Sequence, residues 1–304
     1  MREAPPPTLK LHRMHGMLRV AHHLHSNWDS VLGEPDLRFD SVQASAHAAP
    51  SQLHGTGLFA SEPIEAGQLV TLYPIHALGD ATTCLTCDED GRDAELFGEK
   101  GRTDWPYRVD LPVSPGLAGW AEDLWVDTNP TRDARSGWLG HLVNEGVACA
   151  GSTEPQIVDY YAETLRRANC FLVPFGDTPL MCWAATRAVA AGEELLGVYG
   201  HDYWCARDGG GGGGVPSYTP EVLRAAQEWK AALSACRASV QEEYEAEVAA
   251  LGGLFEYADA QAREEAGGGG GGADDDGAPR GMLAAGTGAR KRGAQKKRRV
   301  SRRR

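Results

Sequence analysis

The side chains best placed to do chemistry gather at the end of a short apolar stretch. Tyr199 closes the run Leu195-Leu-Gly-Val198, Gly200 follows, and His201, Tyr203 and Trp204 come directly after. A phenol at the end of a strand, beside a glycine that lets another group approach closely, is positioned for chemistry; a core hairpin with a satisfied tyrosine would read the same way. Two other groups invite a metal reading. Cys84-Leu-Thr-Cys87 has knuckle spacing, but no second pair follows within reach. His12, His15, His22, His23 and His25 have no cysteine or carboxylate spaced to complete a site, so they read as a helix with exposed histidines. No metal site is expected.

The phenol needs a frame. Residues 180–189 form an apolar run broken mainly by Thr186 and Arg187, with the length and composition of a buried strand. Ala191-Gly192 supplies a turn, and Glu193-Glu194 opens a second apolar segment that ends at Val198. About 120 residues upstream the layout recurs: Leu53-His-Gly-Thr-Gly-Leu-Phe-Ala60, a turn at Ile64-Glu-Ala-Gly67, then Leu69-Val70 and Tyr73. Alternation of Phe39, Val42 and Ala44 with polar neighbours predicts a strand feeding the Gly-x-Gly loop. Between the two layouts, Asn144 taken alone is a turn-former.

Taken together these stretches resemble the SET-domain protein-lysine methyltransferases. The family opens with Gly-x-Gly-hydrophobic-Phe-Ala, here Gly55-Thr-Gly57-Leu-Phe-Ala60, and an Ile-x-x-Gly turn, here Ile64-Glu-Ala-Gly67. It closes with a pattern matched by Ala185-Thr-Arg187-Ala-Val189, Gly192-Glu-Glu-Leu195 and Tyr199-Gly200. Its middle motif is matched by Gly140-His-Leu-Val-Asn144-Glu145-Gly146, with departures. His141 stands where arginine is usual, Glu145 replaces a histidine and Val147 a cysteine. The motif's end is displaced to Ala168-Asn169-Cys170, with residues 146–167 inserted.

The resemblance implies a mainly β fold with some α, a clip of small sheets, and S-adenosyl-L-methionine as cofactor. Backbone groups of His54, Gly55, Thr56 and Gly57 would approach the cofactor, Asn144 would hydrogen-bond it with Glu145 and His141 beside it, and Trp204 or Tyr203 would offer a flat face for adenine. Tyr199 would align the amine and stabilise developing charge, with Tyr73 a lesser candidate in the channel wall. From charge alone, Glu145 could also neutralise the cofactor's amino group. Transfer of a methyl from a sulfonium to a lysine is an in-line displacement. A free lysine has a pKa of about 10.4, and both the sulfonium and a desolvated channel favour loss of that proton, so no strong base is required.

Composition bounds the rest. With 42% hydrophobic and 24% charged residues over 304 positions, the chain is ordinary for a globular protein. It contains no apolar run of the roughly 18 residues a bilayer span needs, and the start lacks a signal-peptide core. Seven scattered cysteines point to a reducing compartment. The net charge of −12 is uneven: residues 290–304 hold ten of the 30 Lys and Arg and no acid, leaving 20 basic against 42 acidic residues elsewhere, a body of −22. Such a body excludes a simple basic nucleic-acid binder and suits a protein substrate with a basic, lysine-containing segment. The tail, with Arg290-Lys-Arg292 and Lys296-Lys-Arg-Arg299, reads as a nuclear-import signal or an arm making nonspecific nucleic-acid contacts, and places the protein in the nucleus.

The expected organisation is a leader at 1–37, a SET domain at 38–204, a glycine linker at 209–214, a helical extension at 215–266 and a disordered segment at 267–304. Within the SET domain, an irregular insert at about 74–137 would help to build the substrate groove, with Trp105, Trp120, Trp125 and Trp138 in packed loops. Thr219-Pro220 marks a helix start. The stripe Val222, Ala226, Trp229, Leu233, Cys236, Val240, Tyr244, Val248 and Leu251 predicts one helix or a hairpin, interrupted near Gly252-Gly253 and packed on its own domain. No post-SET cysteine cluster follows Tyr199, so Trp204 or the helix beyond must close the channel. Two functions fit: a lysine methyltransferase acting on histone or another basic nuclear protein, and a catalytically silent SET module serving as a chromatin or protein-interaction scaffold.

Overall fold

The computed structural model describes residues 7–27, 45–88, 93–96, 103, 105–111, 123–133, 135–149, 151, 153–201, 203–204 and 219–267. The glycine linker, the basic tail, residues 38–44 and Trp120 lie outside these.

The opening and closing motifs build one antiparallel unit. β1 (Ala46–Pro50) and β2 (Thr56–Ala60) form a hairpin with Ala48 opposite Leu58. The far edge of β2 is taken by the closing motif: Ala60 N–H donates to Glu193 O at 3.0 Å and Leu195 N–H to Leu58 O at 2.8 Å. The two turns also meet, because Ile64 and Val189 exchange both backbone hydrogen bonds at 2.9 Å. Gly67 (φ 85°) and Gly192 (φ 80°) carry these turns in the left-handed region, which explains glycine at the same place in each. The repeated layout thus becomes a repeated geometry, cemented by Leu58, Ile64, Val70, Val189 and Leu195 in one buried cluster.

Behind this unit lies a three-stranded sheet of β3 (Leu69–Leu72), β10 (Cys170–Pro174) and β11 (Met181–Ala185), with β11 in the centre. Every residue of β11 is buried, as its continuous apolar run predicts. The strand stops at Ala185, short of the expected Val189, because Arg187 turns out to pair with Glu193 at 2.7 Å.

The insert is more regular than its sequence suggests. β4 (Ala77–Gly79), β5 (Cys84–Cys87), β6 (Asp93–Leu96), β7 (Val109–Asp110) and β8 (Trp125–Asp127) make a five-stranded antiparallel sheet in the order β6-β5-β4-β8-β7. Trp125 therefore sits in a strand, not a loop; its indole covers Gly79, where a Cβ would come within 2.2 Å of the ring. Cys84 and Cys87 face separate clusters, and no group of three metal-ligating side chains gathers among the described residues. Burial pushes the Cys84 thiol up to about 11, away from the thiolate that binds metal.

Among the described residues, four α-helices complete the fold: α1 (Pro7–Ser26), α2 (Glu154–Arg167), α3 (Pro220–Glu243) and α4 (Glu245–Gly267). α1 packs on α4 and the five-stranded sheet through Met14, Leu18, Ala21 and Leu24. Its histidines are not on an exposed face as expected: His25 is buried, edge-on to His76 and Trp138, each at 5.3 Å between ring centroids. Thr219 caps α3 with Pro220 behind it. The break between α3 and α4 falls at Tyr244 rather than at Gly252-Gly253, because the buried Tyr244 hydroxyl accepts the Leu69 N–H at 2.9 Å. None of the described helices is long and apolar enough to cross a membrane. The architecture is the expected one, small sheets with helices and a helical C-terminal region.

Candidate active site

The middle motif lies between the two outer ones. A short 3-10 turn, Gly140–Leu142, leads into β9 (Asn144–Glu145), which pairs in parallel with β12 (Leu196–Gly197) of the closing motif. Gly140 must lack a side chain, since a Cβ would stand 2.8 Å from Leu72 O; its own carbonyl accepts the Trp183 indole N–H at 2.8 Å. This seat fixes where Asn144 and Glu145 emerge.

Asn144 joins the middle motif to the glycine loop. Its Nδ2 donates to His54 O at 3.1 Å, to Thr56 O at 3.4 Å and to Glu194 Oε1 at 3.0 Å. The two loop glycines then have different reasons. At Gly57 a Cβ would be 2.3 Å from Glu194 Oε1 and 3.0 Å from Asn144 Nδ2, so the close approach there is by the protein's own side chains. At Gly55 (φ 43°) a Cβ would meet nothing within 4 Å, so this part of the loop borders open space. Glu194, which no motif role marks in the sequence, accepts from Asn144 and lies over Gly57.

Tyr199 closes the arrangement. Its hydroxyl donates to Val143 O at 2.6 Å, one residue before Asn144. The ring is 36% exposed and lies 4.7 Å, edge-on, from Tyr203, itself 37% exposed. Burial around the hydroxyl, with Tyr203 and Glu145 nearby, raises its pKa well above that of a free phenol. Tyr73 is buried behind, its hydroxyl donating to Tyr107 O at 2.8 Å. Tyr107 comes from the insert and packs edge-on against His141 at 5.3 Å. Burial pulls His141 down to about 4, so it is neutral at physiological pH.

Glu145 and Trp204 are buried and bonded to each other. Glu145 is fully buried; Oε1 accepts the Tyr160 hydroxyl and Oε2 the Trp204 indole N–H, both at 2.6 Å. Trp204 packs among Tyr160, Ile157 and Val222 with little surface left. Of the two candidates for an adenine platform, Tyr203 keeps an open face. Asn169, at the displaced end of the motif, braces the closing segment by bonding Glu194 O and the Leu196 N–H, both at 2.8 Å. Tyr160 had no signal in the sequence, since it lies in the inserted helix.

S-adenosylmethionine, implied by the resemblance, fits this donor set. Asn144 Oδ1 accepts no hydrogen bond among the described residues and is available to an ammonium. Gly55 borders open space beside the exposed His54, whose ring lies 6.3 Å from that of Trp204, and Trp204 in turn meets the exposed Tyr203 at 5.3 Å. Glu145 does not fit as a partner of the cofactor's amino group, because both its oxygens are already engaged.

No protein-family model matches the sequence, and no curated protein sequence matches it. Among solved structures, the chain aligns with a Plasmodium falciparum protein described as a candidate histone methyltransferase, with TM-score 0.27 and 14% identity over 54% of this chain and 99% of that one. It aligns with ATXR5 in complex with histone H3.1, with TM-score 0.31 and 15% identity over 52% of this chain and 60% of that one. It also aligns with the methyltransferase domain of human PR domain-containing protein 2, with TM-score 0.28 and 18% identity over 52% and 82%. Likeness at this level bears on neither substrate nor chemistry.

Proposed function

We propose that the chain is an S-adenosylmethionine-dependent protein-lysine methyltransferase of the SET type. One observation carries this reading. The glycine loop, Asn144 and Tyr199, about 90 and 55 residues apart in sequence, are joined by His54 O to Asn144 Nδ2 at 3.1 Å and by Val143 O to Tyr199 Oη at 2.6 Å.

The cofactor supplies a methyl group made electrophilic by its sulfonium. The chain's residues do the rest. The open loop at His54 to Thr56 and the ring of Tyr203 hold the adenosine end, and Asn144 Oδ1 accepts from the ammonium. Tyr199, kept neutral by its raised pKa, presents an oxygen toward the amine and favours the charge that develops on nitrogen. Neighbouring Tyr73 and Tyr107 surround the amine with aromatic surface and keep water out. The acidic body attracts a basic protein segment, histone or another nuclear protein, and the tail at 290–304 directs the chain to the nucleus and adds nonspecific nucleic-acid contact.

The silent-scaffold reading draws on Glu145, which stands in place of a histidine and is used up inside the protein. Titration calorimetry of the full chain with S-adenosylmethionine separates the two. Saturable heat of binding is expected; no heat at any accessible concentration leaves only the scaffold.

A further inference from the structure

The segment that carries Tyr199 is held by a buried acid. Glu145 sits on β9, and its carboxylate gathers three groups from residues 199–204. Trp204 donates its indole N–H to Oε2, the Tyr199 backbone N–H points to the same carboxylate, and Tyr160 links Oε1 to the Gly200 N–H, which it accepts at 3.0 Å. The Tyr199 side chain then returns to Val143 O, two residues before Glu145 on the same segment. The result is a closed circuit: Glu145 side chain, Tyr199 backbone, Tyr199 phenol, Val143 backbone. The rings of Tyr199, Tyr203 and Trp204 are stacked edge-on in series along it, at 4.7 and 5.3 Å.

We propose that Glu145 is a positioning residue for the Tyr199 phenol, acting through Tyr160 and Trp204. This rests on the methyl-transfer reading above, and it gives Glu145 a different task from neutralising the cofactor. A buried carboxylate is tolerated only when its oxygens are bonded, and here the bonding partners are the residues that must be held still. The charged groups around it are committed elsewhere. Arg167 reaches Gly146 O at 3.1 Å and pairs with Glu163 at 2.7 Å, Glu194 is taken by Asn144, and His54 lies against Trp204 at 6.3 Å between ring centroids. Burial pushes Glu145 up to about 7, against the hydrogen bonds from Tyr160, Trp204 and the Tyr199 backbone that favour its ionised form. Protonation puts a hydrogen on an oxygen that already receives one, and so weakens the local bonds to residues 199–204 even as it relieves the cost of burying the charge.

The test uses the full chain and two readouts. The first is the indole N–H resonance of Trp204, assigned from the Trp204→Phe spectrum. It is expected to move with pH around a midpoint near 7 in the wild type, to a higher midpoint in Tyr160→Phe, and not at all in Glu145→Gln. The second is steady-state methyl transfer. Tyr160→Phe, which leaves Glu145 and the glycine loop in place, is expected to lower kcat by about 10²-fold, the usual result of a slightly misplaced reacting group. KM for S-adenosylmethionine should hold within about twofold. An indole resonance indifferent to pH and to Glu145→Gln overturns the proposal, as does a Tyr160→Phe enzyme with raised KM and unchanged kcat. If Glu145→Gln does not fold, the wild-type titration and Tyr160→Phe still decide. A wild type without transferase activity overturns the reading on which the role in turnover rests, whereas the clamp itself stands or falls on the indole signal.

Discussion

The hydroxyl of Tyr199 donates to the carbonyl of Val143 at 2.6 Å, and the next residue, Asn144, reaches the glycine loop. The phenol is therefore fixed by the backbone of the segment that borders the proposed cofactor site, and its ring stays partly open to an incoming side chain.

Tyr199→Phe removes that bond and the oxygen proposed to face the amine, but touches neither the loop nor Asn144. Turnover is expected to fall by about 10²-fold or more, the range for loss of one preorganised polar group, with cofactor binding nearly unchanged. Calorimetry alongside steady-state kinetics checks this; equal losses in both would give Tyr199 a purely structural role.

The two loop glycines give a paired prediction. Gly57→Ala drives a methyl group to within 2.3 Å of Glu194 Oε1 and should destabilise the fold by about 1–3 kcal/mol while weakening cofactor binding. Gly55→Ala meets no atom and is opposed only by its positive φ, worth roughly 1 kcal/mol. Thermal unfolding of both, with calorimetry for the cofactor, separates crowding from backbone strain.

Asn144→Asp replaces the amide that donates to two carbonyls and Glu194 with a second carboxylate. Like charges about 3 Å apart should force one to take up a proton or the loop to part, and cofactor binding should weaken at least tenfold at neutral pH. Partial recovery of binding at lower pH, read by calorimetry, would identify that repulsion as the cause.

The sequence exposes some of this plainly and hides the rest for physical reasons. The opening and closing motifs are legible because each is a glycine turn between two apolar segments, and the Ile64–Val189 bridge shows the turns were made to face each other. The five-stranded sheet was not legible: its strands run two to four residues and are separated by Gly, Pro and Asp, too short for a period-2 signal. Tyr160 lies in an insertion, where no motif marks it. By its polarity His25 reads as exposed, yet it continues the stripe Met14, Leu18, Ala21 at helical spacing, and that periodicity overrides its polarity. The helix break follows the plug at Tyr244 and leaves Gly252-Gly253 inside a helix, where nothing crowds them.

The buried histidines set a pH limit on the fold. Burial, with Arg132 and Arg135 close by, pulls His25 down to about 4 and His76 to about 3. In the unfolded chain both bind protons near 6.5, so the unfolded state holds more protons below that pH and stability falls as pH drops from about 6.5 toward 4. Glu145 acts in the opposite sense: its folded value of about 7 exceeds the unfolded one, so its contribution is present below about 4.5 and lost as pH rises through 7. Melting temperature against pH should show a steep acid limb that His76→Gln flattens and Glu145→Gln does not.

The most direct measurement is transfer of a labelled methyl group from S-adenosylmethionine to core histones and to proteins of a nuclear extract by the full chain, with mass spectrometry of the modified band. The account predicts label on lysine, abolished or reduced by about 10²-fold in a folded Tyr199→Phe variant. Label that persists undiminished in that variant, or no label from a wild type that binds the cofactor, would contradict it.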